Sequence, residues 1–386
     1  MIKYSKGSNS MKIGIIAEFN PLHNGHLYLI NKIKEKYEDA SIILVLSGNY
    51  TQRGIPSIID KWKKTELSLK LGIDLVVELP FPFSTQSADY FAYGATTILN
   101  YLKVDKLIFG SESNDIKVLE KIVDAQKDDK FNTLVKLYCK SGYNYPTALS
   151  LSLEELTNEK ITTPNDLLGI SYIKAIKENN YDIEVETIKR TNDYHEEELE
   201  EDISSATSIR KALKEGKDIS NQVPKIELDY LNELHYIDDY FNIIKYKIIT
   251  ENDLSIYQTV DKEIIKKLKK EILNSNNIDE YIKRIKTKRY TYNKISRMLL
   301  HILTNFTKDK AKKYNKISYI RVLGINNIGR NILNSIKKDI EIPIISKITK
   351  EKDPMLEYEL EVDKIYYLNS TYTNENLIYY KEDKND

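Results

Sequence analysis

Cys139 is the single cysteine among 386 residues. One thiol excludes a disulfide framework and any cysteine cluster for zinc. No apolar run approaches the ~20 residues that span a bilayer, and the N-terminus lacks the apolar core of a secretion signal. Internal repeats are missing as well. So is net charge: 58 Lys and Arg balance 58 Asp and Glu. What remains, 41% hydrophobic and 30% charged, reads as a globular chain of the cytoplasm, long enough for two domains. Residues 1–10, MIKYSKGSNS, are polar, precede a second methionine at Met11, and read as a disordered leader or the product of an early start codon, outside the fold.

The balanced total hides a separation. From Tyr281 to Lys338 there are sixteen Lys and Arg against one acidic residue, Asp309. Lys283, Arg284, Lys288, Arg289 and Arg297 of this block are candidate RNA ligands, because cations meet phosphates and release counterions. Tyr290, Tyr292, Tyr314 and Tyr319 lie among them as candidate stacking platforms for unpaired bases. A solvated basic helix face is the competing reading. Membrane-surface binding fits less well, since the block lacks an apolar face rich in Trp and Phe.

Along the first half, apolar runs of strand length alternate with helical periodicity. The runs are 12–19, 41–48, 74–80, 104–110 and 183–188. Between them, stretches such as HLYLINKIKEKY place Leu27, Ile30, Ile33 and Tyr37 on one helix face. Strands apolar on both faces, each followed by a helix, imply right-handed βαβ units and a doubly wound parallel sheet. Ligands then bind beyond the carboxyl ends of the strands. The alternation stops near residue 215. From Ile226 the chain reads as helices, and 315–348 as a small strand–helix–strand unit. The predicted architecture is α/β: residues 11–220 as the sheet domain and 221–386 as a mainly helical, basic domain.

Two of the five histidines, His23 and His26, lie in the stretch AEFNPLHNGHLYL just after the first run. Zinc would need a third ligand, and neither H-E-x-x-H nor a cysteine pair is near; His195 is the one further candidate, unsupported by spacing. An ordinary capped turn is a second reading. A phosphate site is the third: Pro21 ends the strand, Gly25 lets backbone approach closely, and a helix starting near Asn24 presents free N–H groups to an anion. Histidines three apart project from one side of its first turn. Downstream, ISSATSIRKAL (203–213) offers Ser204, Ser205, Thr207, Ser208 and Arg210, which serve equally as a helix cap.

GIIAEFNPLHNGH resembles the strand–H-x-G-H–helix signature of the nucleotidyltransferase superfamily, and ISSATSIR its late phosphate-binding motif with one residue more. SGNYTQRGIPSIIDKW, DLVVELPF, FGSE, PNDLLG, TNDYHE, TKRYTYNKISRMLLHIL and RVLGINNIGRNIL extend the resemblance, over Met11 to at least residue 335, to the bacterial tRNA(Met) cytidine acetate ligase family. The resemblance implies a Rossmann-like nucleotidyltransferase domain. It also implies an ATP-dependent ligase that forms acetyl-adenylate and passes the acetyl group to N4 of the wobble cytidine of elongator tRNA(Met).

His23, His26 and Arg210 are then the implied catalytic residues. Implied ATP contacts are Ile16, Ala17, Glu18, Phe19, Asn20, Pro21, Leu22, His23, Asn24, Gly25, His26, Leu27, Tyr28 and Leu29. Gly110, Asn165, Arg190, Ser205, Thr207, Ser208 and Arg210 complete them. Asp166 stands where the family carries a second Asn. ATP enters as substrate accompanied by Mg²⁺, with no tightly bound cofactor, no metal cage, no membrane and no obligate protein partner. Gln52, Arg53, Gly54, Lys61 and Trp62 lie near the same rim, open between phosphate, RNA and packing roles. Two other readings remain: a small-metabolite adenylyltransferase, which leaves the basic half unexplained, and a non-catalytic RNA-binding protein, which leaves the histidine pair unexplained.

Overall fold

The computed structural model describes residues 10–160, 162–190, 204–348, 353–372 and 377–381. Strands β1 (Lys12–Ala17), β2 (Ser41–Ser47), β3 (Leu75–Leu79), β4 (Lys106–Ser111) and β5 (Glu184–Lys189) lie within two residues of the expected runs. Among them are helices α1 (Asn24–Lys36), α2 (Lys61–Lys70), a one-turn α3 (Phe81–Ser84), α4 (Ala88–Tyr101), α5 (Ile116–Ala125), α6 (Asp129–Lys140), α7 (Tyr145–Thr157) and α8 (Pro164–Glu178). The second half holds α9 (Ala206–Lys214), α10 (Phe241–Thr250), α11 (Lys262–Glu271), α12 (Ile278–Ile285), α13 (Tyr292–Leu303) and α14 (Lys308–Lys313). It continues through β6 (Ile320–Ile325), α15 (Asn327–Ile336), β7 (Ile344–Ile345), α16 (Pro354–Tyr366) and β8 (Ile378–Tyr379).

One sheet runs β5–β4–β1–β2–β3–β6–β7, with β8 also on β6. Every residue of β2 and β3 is buried, which is why these runs are apolar throughout. Helices cover both faces. Ile98 and Leu99 of α4, Ile122 of α5 and Ile173 of α8 pack on one; Ile30 and Ile33 of α1 with Trp62 and Leu69 of α2 pack on the other. The winding direction reverses between β4 and β1, so the crevice for a ligand opens where those two strands end.

One edge differs from a wholly parallel sheet. β6 pairs with β3 antiparallel and brings β7 and β8 with it, so residues beyond 220 complete the sheet. β3 is buried on both sides and needs a partner for its outer edge. The long connection before β6 lets that partner enter from either direction. Helices α10–α13 form a second core around Ile244, Leu268, Ile282 and Leu299, which α16 joins through Tyr358, Val362 and Tyr366. Tyr50 and Phe81 of the first half belong to this core too.

A buried ion network pins the two cores together. Lys61 of α2, fully buried, bonds Glu78 of β3 at 2.9 Å and also pairs with Asp363 of α16. Arg321 of β6 lies 3.2 Å from Glu78 and 3.8 Å from Asp363. Glu359 stands beside them and accepts the Phe81 N–H at 2.6 Å. Burial, then Glu78 and Asp363, push its carboxyl well above the ordinary carboxylate range. Two cations thus face three carboxyl groups, of which Glu359 is the one pushed toward its neutral form. Lys61→Ala leaves buried carboxylates uncompensated and should cost about 3–5 kcal/mol in urea unfolding. A loss under ~1 kcal/mol, the worth of a surface pair, would contradict this account.

Candidate active site

After β1 the chain turns sharply at Phe19, where φ is +46°, and passes a cis Asn20–Pro21 bond. His23, in extended conformation, caps α1. Its Nδ1 accepts the Gly25 N–H at 3.1 Å, and His26 Nδ1 accepts the His23 N–H at 3.2 Å. The rings stack at 3.8 Å between centroids, and Phe19 packs edge-on against His26 at 4.8 Å. This reciprocal cap is why both histidines occur in the motif at spacing three: each closes an orphan N–H of the helix start.

The same bonds assign the tautomer. A neutral imidazole that accepts at Nδ1 carries its proton on Nε2. Burial, followed by Arg190 and Arg210, lowers the His23 pKa to about 3. Burial, the neighbouring His23 and Arg190 lower that of His26 well below its ordinary value. Both rings are therefore neutral at physiological pH, each with Nε2–H as its remaining donor.

His26 lines a cavity of about 740 Å³ in the predicted crevice, and four arginines line it too: Arg53, Arg190, Arg210 and Arg297. Arg210 donates to Asn20 O at 2.6 Å and to Thr207 Oγ1 at 3.2 Å; Arg53 donates to the same hydroxyl at 2.8 Å. Burial and then Arg53 lower the Arg210 pKa to about 10, which leaves it charged. Arg190 continues β5, with Nε 3.8 Å from Glu112. Glu112 also accepts Asn165 Nδ2 at 2.5 Å, so it holds Arg190 and Asn165 side by side. Glu18 lines the cavity and accepts the Gln52 N–H at 2.6 Å; burial raises its carboxyl pKa despite that bond.

Of the sequence-predicted contacts, Ile16, Ala17, Glu18, Phe19, Asn20, Gly25, His26, Tyr28, Leu29, Gly110, Asn165, Arg190 and Arg210 line this cavity. Pro21, Leu22, His23, Asn24, Leu27, Ser205, Thr207 and Ser208 are not part of its lining. Leu22 is core, and Asn24 ties α1 to the Gln222 carbonyl at 3.0 Å through its N–H and to the Asn221 carbonyl at 2.7 Å through its amide. Ser205 caps α9 by accepting the Ser208 N–H, as the plainer reading of that motif held. Gly110 has a second reason for being glycine: a Cβ there would sit 3.2 Å from Cγ of Arg190. Asp166 accepts from Ser111 Oγ, Ser113 N and Thr163 Oγ1, which makes it the knot of the loops around Asn165. TNDYHE, including His195, lies outside the described residues.

The basic block departs from expectation in three ways. Tyr290 and Tyr319 are core residues, and Tyr314 stacks on Tyr358, so none of the three is a free platform. Arg284 pairs with Glu280 at 2.7 Å and Arg289 with Glu263, acids just outside the counted window that fold back onto it. Arg297 lies in the cavity wall, away from the exposed strip of Lys283, Lys286 and Lys288. Lys61, expected near the rim, is in the buried network instead. Sequence reasoning did not assign Arg53, Glu112 or the cavity role of Arg297. The SGNYTQRG and FGSE stretches carried the first two signals, since both follow strand ends.

The family model for HIGH nucleotidyl transferases matches residues 11–380. A tRNA(Met) cytidine acetate ligase of a Geobacillus species is 37% identical over 377 residues, covering 92% of this chain and 93% of that protein. One from Caldanaerobacter subterraneus is 38% identical over 379 residues, covering 92% and 94%. The crystal structure of Thermotoga maritima TmcAL bound with alpha-thio ATP superposes with a TM-score of 0.86 at 25% identity, covering 96% of this chain and 100% of that one. Its apo form gives 0.88.

The depressed histidine pKa sets a pH signature. Unfolded chains take up the His23 proton below the ordinary 6.5, whereas the folded protein resists until about 3. Stability contributed by the neutral ring is present above 6.5 and lost as pH falls, at about 1.4 kcal/mol per unit. His23→Gln should remove that share of the slope from urea midpoints taken between about pH 7 and pH 5. An unchanged slope would mean that His23 titrates in the folded state.

Proposed function

This chain belongs to the HIGH nucleotidyl transferase family and, within it, to the tRNA(Met) cytidine acetate ligases; from that premise we propose how its own residues divide the reaction. ATP and acetate give acetyl-adenylate and pyrophosphate. The acetyl group then passes to N4 of the wobble cytidine of elongator tRNA(Met). The observation that carries this reading is one cavity, in which the neutral His26, with His23 stacked on it, and the arginines meet helix α13 of the basic half.

In the first step the α1 start and the Nε2–H of His26, held by the His23 ring stacked on it, stabilise charge that develops as pyrophosphate leaves. Arg53 and Arg210, joined at Thr207, hold the β- and γ-phosphates. Arg190, Asn165 and Gly110 border the nucleotide near the ends of β4 and β5. In the second step the cytidine amine attacks the acetyl carbonyl, the bond to the phosphate oxygen breaks, AMP leaves with the electron pair, and the amine loses a proton. The lone thiol, Cys139, is exposed on α6 and takes no part.

Mg²⁺ is expected with ATP. Among the described residues, Glu78, Glu359 and Asp363 are the three acids close enough together for a metal, but Lys61 and Arg321 occupy them and they lie outside the cavity lining.

For the RNA, the exposed Lys283, Lys286 and Lys288 lead directly to Thr291 and Asn293 on the cavity wall. A base leaving a stem along this strip has a short path inward. No described helix is long and apolar enough to cross a membrane, and the free cysteine suits the cytoplasm.

The test combines protein, ATP and labelled acetate with and without tRNA. ATP-dependent label in the wobble cytidine supports the ligase. Pyrophosphate release that requires a phosphorylated metabolite would replace it with a metabolite adenylyltransferase. His26→Ala should lower acetyl-adenylate formation about 10²–10³-fold with tRNA affinity unchanged; normal adenylation would remove the pair from the chemistry. Lys283→Gln with Lys288→Gln should flatten the log–log salt slope of tRNA binding by about 0.7–0.9 for each phosphate that is no longer neutralised. A constant slope would place the RNA elsewhere.

A further inference from the structure

We infer that Arg297 of α13 binds the carboxylate of the acid substrate, in the same cavity as the arginines that hold pyrophosphate. This assignment rests on the ligase reading above. In that step an acetate oxygen forms a bond to the α-phosphorus, the bond from that phosphorus to the bridging oxygen breaks, and pyrophosphate leaves with the electron pair. Entering and leaving oxygens must lie roughly in line. A cleft that performs it needs cationic groups in two places: a cluster for the leaving group and a separate donor for the attacking acid.

The arginines divide in that way. Arg53 and Arg210 converge on Thr207, and Arg190 is tied to Glu112. Arg297 shares no hydrogen-bond partner with these three; its own acceptor, Gln52 O, is one residue before Arg53. Among the described residues no carboxylate pairs with it, and one of its five N–H groups is used, in a 3.2 Å bond from Nη1 to Gln52 O. Burial alone lowers its pKa, with no charged neighbour contributing. A half-buried cation without a counter-ion is costly unless an anion arrives, and a carboxylate matches the guanidinium fork.

Its position is fixed from both halves of the chain. Gly54 has φ +78°, and a Cβ there would lie 2.3 Å from the Arg297 backbone nitrogen. Ser296 Oγ donates to Gly54 O at 2.9 Å. The loop after β2 and helix α13 are therefore in direct contact at the foot of this side chain. Asn293 on the same helix and Thr291, which caps it, line the same cavity.

Acetate-dependent ATP–pyrophosphate exchange tests the assignment without tRNA. Arg297→Gln should raise the KM for acetate roughly 10- to 100-fold, with the KM for ATP and the Kd for tRNA unchanged. Arg297→Lys keeps the charge but loses the fork, and should give a smaller rise in the same constant; it also serves if the Gln variant does not fold. A raised KM for ATP would make Arg297 a phosphate ligand. Weakened tRNA binding with a normal acetate KM would return it to the RNA surface. Either result overturns the proposal. Absence of acetate-dependent exchange in the unaltered protein would instead overturn the ligase reading.

Discussion

The buried pairing of Lys61 with Glu78 and Asp363 is the constraint on which the other arrangements rest. Its members come from α2, β3 and α16, with Arg321 of β6 alongside, so one polar knot fixes four elements that are up to about 300 residues apart in sequence. Apolar packing alone would hold these elements together but would tolerate sliding. Charges in a region that excludes water tolerate almost none, because each displaced group becomes an unpaired ion.

The knot also places the chemistry. Three residues along α2 from Lys61, Lys64 is fully buried and donates to three carbonyls: Glu18 at 2.9 Å, Ser47 at 2.8 Å and Gly48 at 2.7 Å. Burial lowers its pKa to about 7, even with Glu18 and Asp60 favouring the charge. Those carbonyls lie just past β1 and at the end of β2, where the histidine loop and the Arg53 loop begin. α2 thus transmits the register of the core to the two loops that line the cavity. The histidines then set their own orientation through mutual capping.

How far the sequence could be read follows from the range of each interaction. The five strands and the H-N-G-H turn are local: periodicity and capping operate within a few residues, and both were legible. The antiparallel β6 was not, because VLGI reads as a strand without saying which edge it will meet. Lys61 looks like an ordinary lysine of an exposed helix until Asp363 arrives from the far end of the chain. The basic block misleads for a related reason. A window from 281 to 338 cannot see Glu263 and Glu280, which fold onto Arg289 and Arg284. Tyr290 and Tyr319 look like surface rings because tyrosine is ambiguous between core and interface.

The pairing of β3 with β6 has a consequence during synthesis. Some 240 residues separate the end of β3 from the start of β6. At about 5–20 residues per second, the nascent chain carries β3 with an open edge for roughly 10–50 s. Its N–H and C=O groups then form a template for unwanted strand pairing. The charge of Glu78 within that strand, not yet enclosed by Arg321, disfavours stacking of like strands in the interval. The same carboxylate that later locks the finished fold thus guards the unfinished one.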